Sequence, residues 1–234
     1  PGRIFLIDAM RLREQADAAI ATVQRAAQGA VGNLAIGYTG PTLYTVLPEI
    51  VRTFRDRYPD VELTLHELCT PEQEAALLAD EIQIAFLHPP IDSPVLMQDV
   101  FCESMVVVLP EYHRLANQSS LSIEDLAQES FILFPRTVGP YLYSCILSLC
   151  AQAGFSPKVV QEVTPQPTMI GLVAAGIGIA FVSASLQSIN RPGVVYRALQ
   201  EEVLVLKLAI AWKDDARSPV LQNFVQVVDA WRSP

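Results

Sequence analysis

The sequence contains two segments, about 95 residues apart, that show the same series of predicted elements. Residues 34–86 predict a strand, a Gly-Pro turn, an amphipathic helix, a second strand, and a Thr-Pro start followed by a helix and a strand. Residues 131–181 repeat that order, and both copies end in Ile-x-Ile-Ala-Phe. Such a repeat predicts two similar α/β lobes that enclose a cleft for a small molecule.

Composition limits the partners of these lobes. With 51% apolar residues in 234, the chain can bury one large core or two modest ones, and the repeat favours two. The formal net charge of −9 argues against nucleic-acid binding by this part of the chain, because phosphate neutralisation requires clustered Lys and Arg. No apolar run approaches the ~20 residues of a membrane span, and the N-terminus lacks the apolar core of a signal peptide. We expect a cytoplasmic protein with no membrane partner and reduced cysteines.

Residues 1–28 predict one long amphipathic helix. Apolar residues recur at spacings of three, four or seven from Leu6 to Ala27, and charged residues occupy the other faces. A helix of this length spans roughly 40 Å, which is more than one small lobe can cover. Two interpretations remain open: the helix pairs with a copy of itself, or it folds onto the body of its own chain.

The alternation of strands and helices predicts the domain boundaries. Strands rich in Val, Ile and Leu indicate mostly parallel sheets covered by helices. A continuous apolar strand at residues 104–110 crosses between the lobes, and a second crossing near Glu201 to Leu206 returns the chain. The predicted division is a linker helix at 1–30, a first lobe at 31–103 and 205–234, and a second lobe at 104–204.

Candidate binding residues follow predicted strands, where open α/β sheets bind ligands next to helix N-termini. Thr39, Thr42 and Thr70 have hydroxyls at predicted helix starts, where each either caps its own helix or binds a ligand carboxylate. Arg136 lies in a loop after a strand and either binds an anionic ligand or is a solvated surface residue. His88 ends a strand and is either a ligand contact or a structural residue.

Motifs of catalysis and cofactor binding are absent from the sequence. It contains no GxSxG, no HExxH and no P-loop, and GIGIAF does not match a dinucleotide-binding fingerprint. The three histidines are 22 and 25 residues apart, which is not the spacing of metal ligands on one element. We expect no catalytic residue, no metal and no cofactor.

Several segments together resemble the effector-binding region of LysR-type transcriptional regulators, and the resemblance covers essentially the whole chain. They are GNLAIGYTG, LPEIVRTFRDRYPDVELTLHE, EALLADEIQIAFL, VVVLPEYHRLA, SIEDLAQESFILFPR and GLVAAGIGIAFVSAS. The resemblance implies two Rossmann-like lobes of the periplasmic-binding-protein type II kind, joined by two crossover segments and preceded by a linker helix. It also implies a homodimer or tetramer that forms through helix 1–28 and lobe–lobe contacts.

The same resemblance implies a function. A small effector, often a carboxylate, binds between the lobes and changes how a separate domain holds promoter DNA. The opening PGRIFL is similar to the end of the family's winged helix-turn-helix domain, so DNA would be bound only through a domain that precedes residue 1. The segments TPEQEAALL and FPRTVGPYLY look closest to the branch that regulates degradation of benzoate, catechol and related aromatics.

Effector contacts can be carried over from that branch by motif. They are Pro41 with Thr42, Thr70, and Pro140 with Leu142. Together with the candidates above, the predicted effector-binding set is Thr39, Gly40, Pro41, Thr42, Thr70, His88, Phe134, Arg136, Pro140, Leu142 and Ser183.

Three residues depart from the branch pattern. Pro41 stands where the branch commonly has a serine, His88 where it commonly has an arginine, and Ser183 where many relatives have a proline. Loss of a hydroxyl donor and of a fixed positive charge should weaken dicarboxylate binding, because charge-assisted hydrogen bonds are the strong ones in such a site. Ser183 is expected to add a polar group to the cleft.

Two other functions are alternatives to a regulator. A solute-binding protein of a transporter would share the two lobes but would require an export signal and no long charged N-terminal helix. An enzyme on the same scaffold would require a catalytic group, which the sequence does not reveal.

Overall fold

The computed structural model describes residues 2–200, 205–214 and 218–232. Its helices are α1 (Gly2–Ala27), α2 (Leu47–Arg57), α3 (Thr70–Leu78), α4 (Pro140–Gln152), α5 (Gln166–Ala174) and α6 (Pro219–Arg232). Its strands are β1 (Val31–Tyr38), β2 (Asp60–Glu67), β3 (Ile84–Leu87), β4 (Leu96–Pro110), β5 (Ser120–Leu121), β6 (Ser130–Leu133), β7 (Lys158–Glu162), β8 (Ile179–Ser183), β9 (Val194–Leu199) and β10 (Val205–Trp212). Short 3₁₀ helices occur at Gly40–Tyr44, Glu124–Leu126 and Ala184–Ile189. The predicted α/β fold class is confirmed.

The first lobe is built on the sheet β2-β1-β3-β10-β4. β1 pairs in parallel with β2 and β3, and β10 runs antiparallel to β3 and β4. Helix α2 buries Leu47, Ile50 and Phe54 at helical spacings of three and four, and it packs with α6 on one face of the sheet. α3 packs on the other face through Ala76 and Leu77. The first lobe is therefore a sheet covered by helices on both faces.

The beginning of this lobe differs from the sequence prediction. The single helix expected from Thr42 is divided into the 3₁₀ helix Gly40–Tyr44 and α2, which begins at Leu47. Pro48 explains the break, because it has no N–H to donate to the carbonyl of Tyr44 in a continuous helix.

The second lobe repeats the architecture on the strands β4-β8-β6-β7, with β9 paired to β4 and β5 paired to β9. β6 pairs in parallel with both β7 and β8. α4 covers one face through Ile146, Leu149 and Cys150, and α5 covers the other through Met169 and Ile170. Both faces of the second sheet are therefore apolar.

β4 belongs to both lobes. Residues 96–104 pair with β10 in the first sheet, and from Met105 the strand pairs with β8 and β9 in the second. The partner changes between Ser104 and Met105, where the strand also changes from mostly exposed to fully buried. In the second predicted crossing, residues 201–204 lie outside the described residues, and β10 begins at Val205.

Helix α1 extends from the body. Its described side chains are almost all exposed, including Phe5 at 75% and Ile20 at 56%. The interpretation that this helix folds onto its own chain is therefore wrong, and pairing with a second copy stays a prediction. Among the described helices, none has a stretch long and apolar enough to cross a membrane.

The end of α1 is fixed to the first lobe. Asn223 Nδ2 on α6 donates to the carbonyl oxygens of Gln28 (2.9 Å) and Gly29 (3.3 Å). Gly29 has a φ of +68°, and a methyl group there would lie 2.6 Å from the Pro219 carbonyl carbon. Only glycine fits this junction. The direction of α1 is thus set by α6.

Candidate functional site

A cleft of about 1410 Å³ lies between the two lobes, at the carboxyl ends of their parallel strands. This volume exceeds the ~300–1,000 Å³ typical of sites that bury a drug-sized ligand. A small ligand would therefore fill only part of the cleft at the observed separation of the lobes.

Most of the predicted binding residues line this cleft. They are Thr39, Gly40, Pro41, Thr70 and His88 from the first lobe, and Phe134, Pro140 and Leu142 from the second. Each lies at the end of a strand or the start of the following helix, because the repeated βα units present those ends to one another.

Three predicted residues lie elsewhere. Thr42 is 1% exposed and packs behind Thr39 rather than in the cleft wall. Ser183 is 0% exposed; its hydroxyl donates to the Met105 sulfur at 4.0 Å, because its side chain points into the second lobe. Arg136 is exposed and outside the lining, in a turn where the Val138 N–H donates to the Pro135 carbonyl.

Because Ser183 is buried, the expectation that it adds a polar group to the cleft is wrong. Gln166, whose Oε1 accepts from the Ser183 N–H (3.0 Å), lines the cleft instead.

A chain of hydrogen bonds connects the first-lobe wall to β10. His88 Nδ1 lies 2.8 Å from the Lys207 carbonyl oxygen, which can only accept, so Nδ1 carries the proton. In the neutral ring Nε2 then accepts from Thr39 Oγ1 at 3.1 Å. Because the Thr39 hydroxyl hydrogen is used in that bond, Thr42 Oγ1 donates to Thr39 Oγ1 at 2.9 Å. The donor and the acceptor of each hydrogen bond in this series are therefore fixed.

Burial keeps His88 neutral. Desolvation lowers the pKa of its imidazole below 6.5, and the hydrogen bond to the Lys207 carbonyl opposes this only partly. At neutral pH His88 is an acceptor for Thr39 and not a fixed positive charge.

Gln73 holds the strand ends of this wall together. Its side chain is 0% exposed, and Nε2 donates to the carbonyl oxygens of Leu68 (2.9 Å) and Phe86 (3.0 Å). Thr39 precedes its 3₁₀ helix but makes no side-chain cap hydrogen bond. Thr70 is the first residue of α3, whose cap position is Cys69, and its Oγ1 accepts instead from the His88 N–H at 3.2 Å. The capping interpretation is therefore wrong for these two threonines.

Carboxylates in the first-lobe wall were missed by sequence reasoning. The acidic side chains that line the cleft are Glu67, Glu72, Glu74, Asp92 and Asp99. Lys207 is the one Lys or Arg among the described lining residues. Glu72 Oε2 accepts from the Cys69 N–H at 2.8 Å, and that bond lowers the pKa of the Glu72 carboxyl. The signal for Glu72 was present as a residue three positions after the helix cap.

The second-lobe wall has a different character. Phe134, Val138, Tyr141 and Leu142 provide apolar surface, and Phe134 packs edge-to-face with Tyr143 at 6.1 Å between ring centroids. Among the described residues, no charged side chain of this lobe lines the cleft. The cleft therefore has one charged wall and one uncharged wall; apolar side chains such as Leu43 and Ile91 also line the first, and Gln166 also lines the second. In the described part of the chain, no group of three His, Cys, Asp or Glu side chains is placed to bind a metal.

Known proteins match the chain over both lobes. The family model for the LysR substrate binding domain matches residues 27–232. The HTH-type transcriptional regulator AlsR of Bacillus subtilis (strain 168) is 36% identical over 227 residues, which are 97% of this chain and 75% of AlsR. The HTH-type transcriptional regulator CatR of Pseudomonas putida is 37% identical over 206 residues, which are 88% of this chain and 71% of CatR.

Solved structures give the same match. CbnR, a LysR family transcriptional regulator, has a TM-score of 0.83 at 25% identity, over 97% of this chain and 79% of CbnR. The BenM effector binding domain, solved with its effector benzoate, has a TM-score of 0.76 at 25% identity, over 86% of this chain and 91% of that domain.

Proposed function

The chain belongs to the family of LysR substrate-binding domains, and we propose from that premise that its effector binds in the cleft between the two lobes. The family that the sequence segments predicted is confirmed, and the chain is the effector-binding domain of a LysR-type transcriptional regulator. The observation that carries the proposal is the opposition of Thr39, Thr70 and His88 to the apolar wall of Phe134 and Leu142.

The proposed effector is small and partly apolar. Benzoate is the effector of BenM, and the uncharged second wall suits the face of such a ring. An aromatic-derived effector, as in the aromatic-degradation branch, fits this wall. AlsR and CatR are transcriptional regulators, which favours a regulator over a transporter component or an enzyme.

We propose that effector binding changes the angle between the lobes. A ligand shifts a conformational equilibrium only if it binds one state better, and an oversized open cleft allows tighter contacts after closure. β4 belongs to the first crossing between the lobes, and β10 begins at the end of the second. The two strands pair with each other, and both contribute residues to the cleft lining. Motion would then be a rotation about this pair.

The signal would reach DNA through α1. Asn223 fixes the end of α1 to the first lobe, so rotation of that lobe redirects the helix. We propose that α1 pairs with a second copy and connects to a helix-turn-helix domain, as the names of AlsR and CatR indicate for those proteins.

A ligand panel tests the effector site. We expect at least one compound from a set of small carboxylates, aromatics and central metabolites to raise the melting temperature of the chain, since a ligand that prefers the native state stabilises it. The same compound should bind the Leu142→Asn variant more weakly, and it should bind an Arg136→Gln control unchanged, because Arg136 lies outside the lining. Equal affinity for all three proteins would place the ligand outside the cleft.

Light scattering tests the proposed pairing of α1 with a second copy. We expect the chain to have the mass of a dimer or a larger oligomer at micromolar concentration. A strict monomer would contradict pairing through α1.

A further inference from the structure

We propose that the effector of this chain is an uncharged small molecule that presents hydrogen-bond donors to the first lobe and an apolar part to the second. This inference rests on the proposed function, since it assigns a ligand class to the same cleft. It differs from the sequence expectation of a carboxylate.

The first step concerns the start of α3. The N–H of Cys69, which precedes this helix, already donates to Glu72 Oε2 at 2.8 Å. That bond also lowers the pKa of the Glu72 carboxyl, so the group is ionised at neutral pH. An incoming carboxylate would meet a negative charge at the place where a helix start would otherwise attract it.

The second step concerns the 3₁₀ helix Gly40–Tyr44. A methyl group on Gly40 would lie 2.9 Å from Glu67 Oε1, so the Glu67 carboxylate lies directly against the start of this helix. The next residue, Pro41, has no N–H to offer an anion. The pKa of Tyr38 is raised by burial and also by the charge of Glu67, which shows that this charge acts on the strand end.

The third step concerns the groups that remain. The Thr39 hydroxyl donates to His88 and accepts from Thr42, which leaves only acceptor capacity on its oxygen. His88 is neutral, so it adds no positive charge. The Thr70 hydroxyl accepts from the His88 N–H and keeps its own hydrogen, and Lys207 adds one positive charge, but five carboxylates line the same wall. Acceptors such as Thr39, Glu67 and Glu72 and a net negative charge therefore dominate this wall. Acceptors recognise hydroxyl or amide N–H groups and repel carboxylates.

The test compares benzamide with benzoate, which have the same shape but differ in charge and in donor capacity. Dissociation constants would be measured by calorimetry or NMR titration at pH 7.5 and fixed ionic strength. We expect benzamide to bind about tenfold more tightly than benzoate, the effect of one or two like charges at partly screened distances. Phthalate, with two carboxylates, should bind more weakly than benzoate.

A matched pair of variants assigns the effect to Glu67. Glu67→Gln removes the charge and keeps the size, and it should reduce the preference for benzamide about fivefold by strengthening benzoate binding. Glu62→Gln makes the same change on β2 outside the cleft and should leave both constants unchanged. An unchanged preference in Glu67→Gln would overturn the role of Glu67.

Two outcomes overturn the ligand class. In the first, benzoate binds as tightly as benzamide or more tightly. If Lys207 is the cause, Lys207→Met should lose benzoate affinity. The other is no detectable binding of benzamide. In either case the proposed function stands as long as some other compound of the panel binds in the cleft, whereas a cleft that binds no compound would refute both.

Discussion

The two walls of the cleft derive from the same βα unit but have opposite chemistry. α3 buries Gln73, whose amide joins two strand ends, whereas the matching face of α5 buries Met169, Ile170 and Val173. Among the described lining residues, all charged side chains lie on the first wall, beside hydrogen-bonded hydroxyls and an imidazole, whereas the second wall is uncharged and mainly aromatic and aliphatic. The repeat thus preserved the topology while the side chains that line the two walls diverged in charge.

This difference has a physical consequence. A wall built on buried hydrogen bonds holds its groups in fixed positions, but each lost partner leaves an unpaired polar atom. A wall built on apolar packing tolerates exchange of similar volumes. Substitutions in the first lobe should therefore cost more than matched substitutions in the second.

The largest expected effect is at Gln73. Gln73→Leu leaves the carbonyls of Leu68 and Phe86 without this donor and should lower the free energy of unfolding by about 2–3 kcal/mol. Met169→Leu, at the buried face of α5, should cost less than about 1.5 kcal/mol. Urea denaturation measures both, and equal losses would contradict the difference between the walls.

A smaller effect is expected at the two Thr-Pro starts. Thr70→Val removes the acceptor of the His88 N–H and should cost about 1 kcal/mol. Thr164 occupies the repeat position in the second lobe and is exposed, so Thr164→Val should stay within about 0.5 kcal/mol. Thermal and urea unfolding of the two variants compare the same chemical change in both walls. A larger loss for Thr164→Val would reverse the comparison.

The apolar wall should matter more for binding than for stability. Leu142→Ala shortens a side chain that lines the cleft and should weaken benzamide binding about threefold to tenfold by removing apolar contact. Leu43→Ala, on the first-lobe side of the cleft, serves as the control of equal size and should change binding less. Titration of both variants decides which wall contacts the ring.

The smallest expected effect is a pH dependence of stability that comes from His88 in the first wall. The pKa of His88 is lowered in the folded protein, so below its ordinary value of 6.5 the unfolded chain binds the proton more readily. The free energy of unfolding should therefore fall as the pH decreases through 6.5, and this contribution should be constant above it. Urea midpoints between pH 5.5 and 8 should show a shallower fall in His88→Gln and an unchanged fall in His66→Gln, which alters an exposed histidine.

Much of this architecture was predictable because it depends on local patterns. Alternating apolar residues, the Thr-Pro starts and the two Ile-Ala-Phe strands predicted the α/β class and the strand ends from which Thr39, Thr70 and His88 face the cleft. The family was predictable because several plain segments occur in one order over the whole chain.

Other features depend on tertiary contacts. All five residues of β8 are buried, so alternation could not predict that Ser183 points into the lobe. Arg136 is directed by a turn whose geometry its sequence does not specify. The position of Glu67 against Gly40 follows from the pairing of β1 with β2, and the His88–Lys207 bond joins residues 119 apart in sequence.

The strand shared by both lobes constrains how this molecule can evolve. In β4, Met105, Val107 and Leu109 pack into one core of the second lobe, while Val106 and Val108 pack into the other. Because side chains alternate with a period of two, one residue inserted near Ser104 would exchange these two sets and mispack both cores. Descendants of this protein can change the residues of that segment, but deletions and insertions of single codons there should be eliminated.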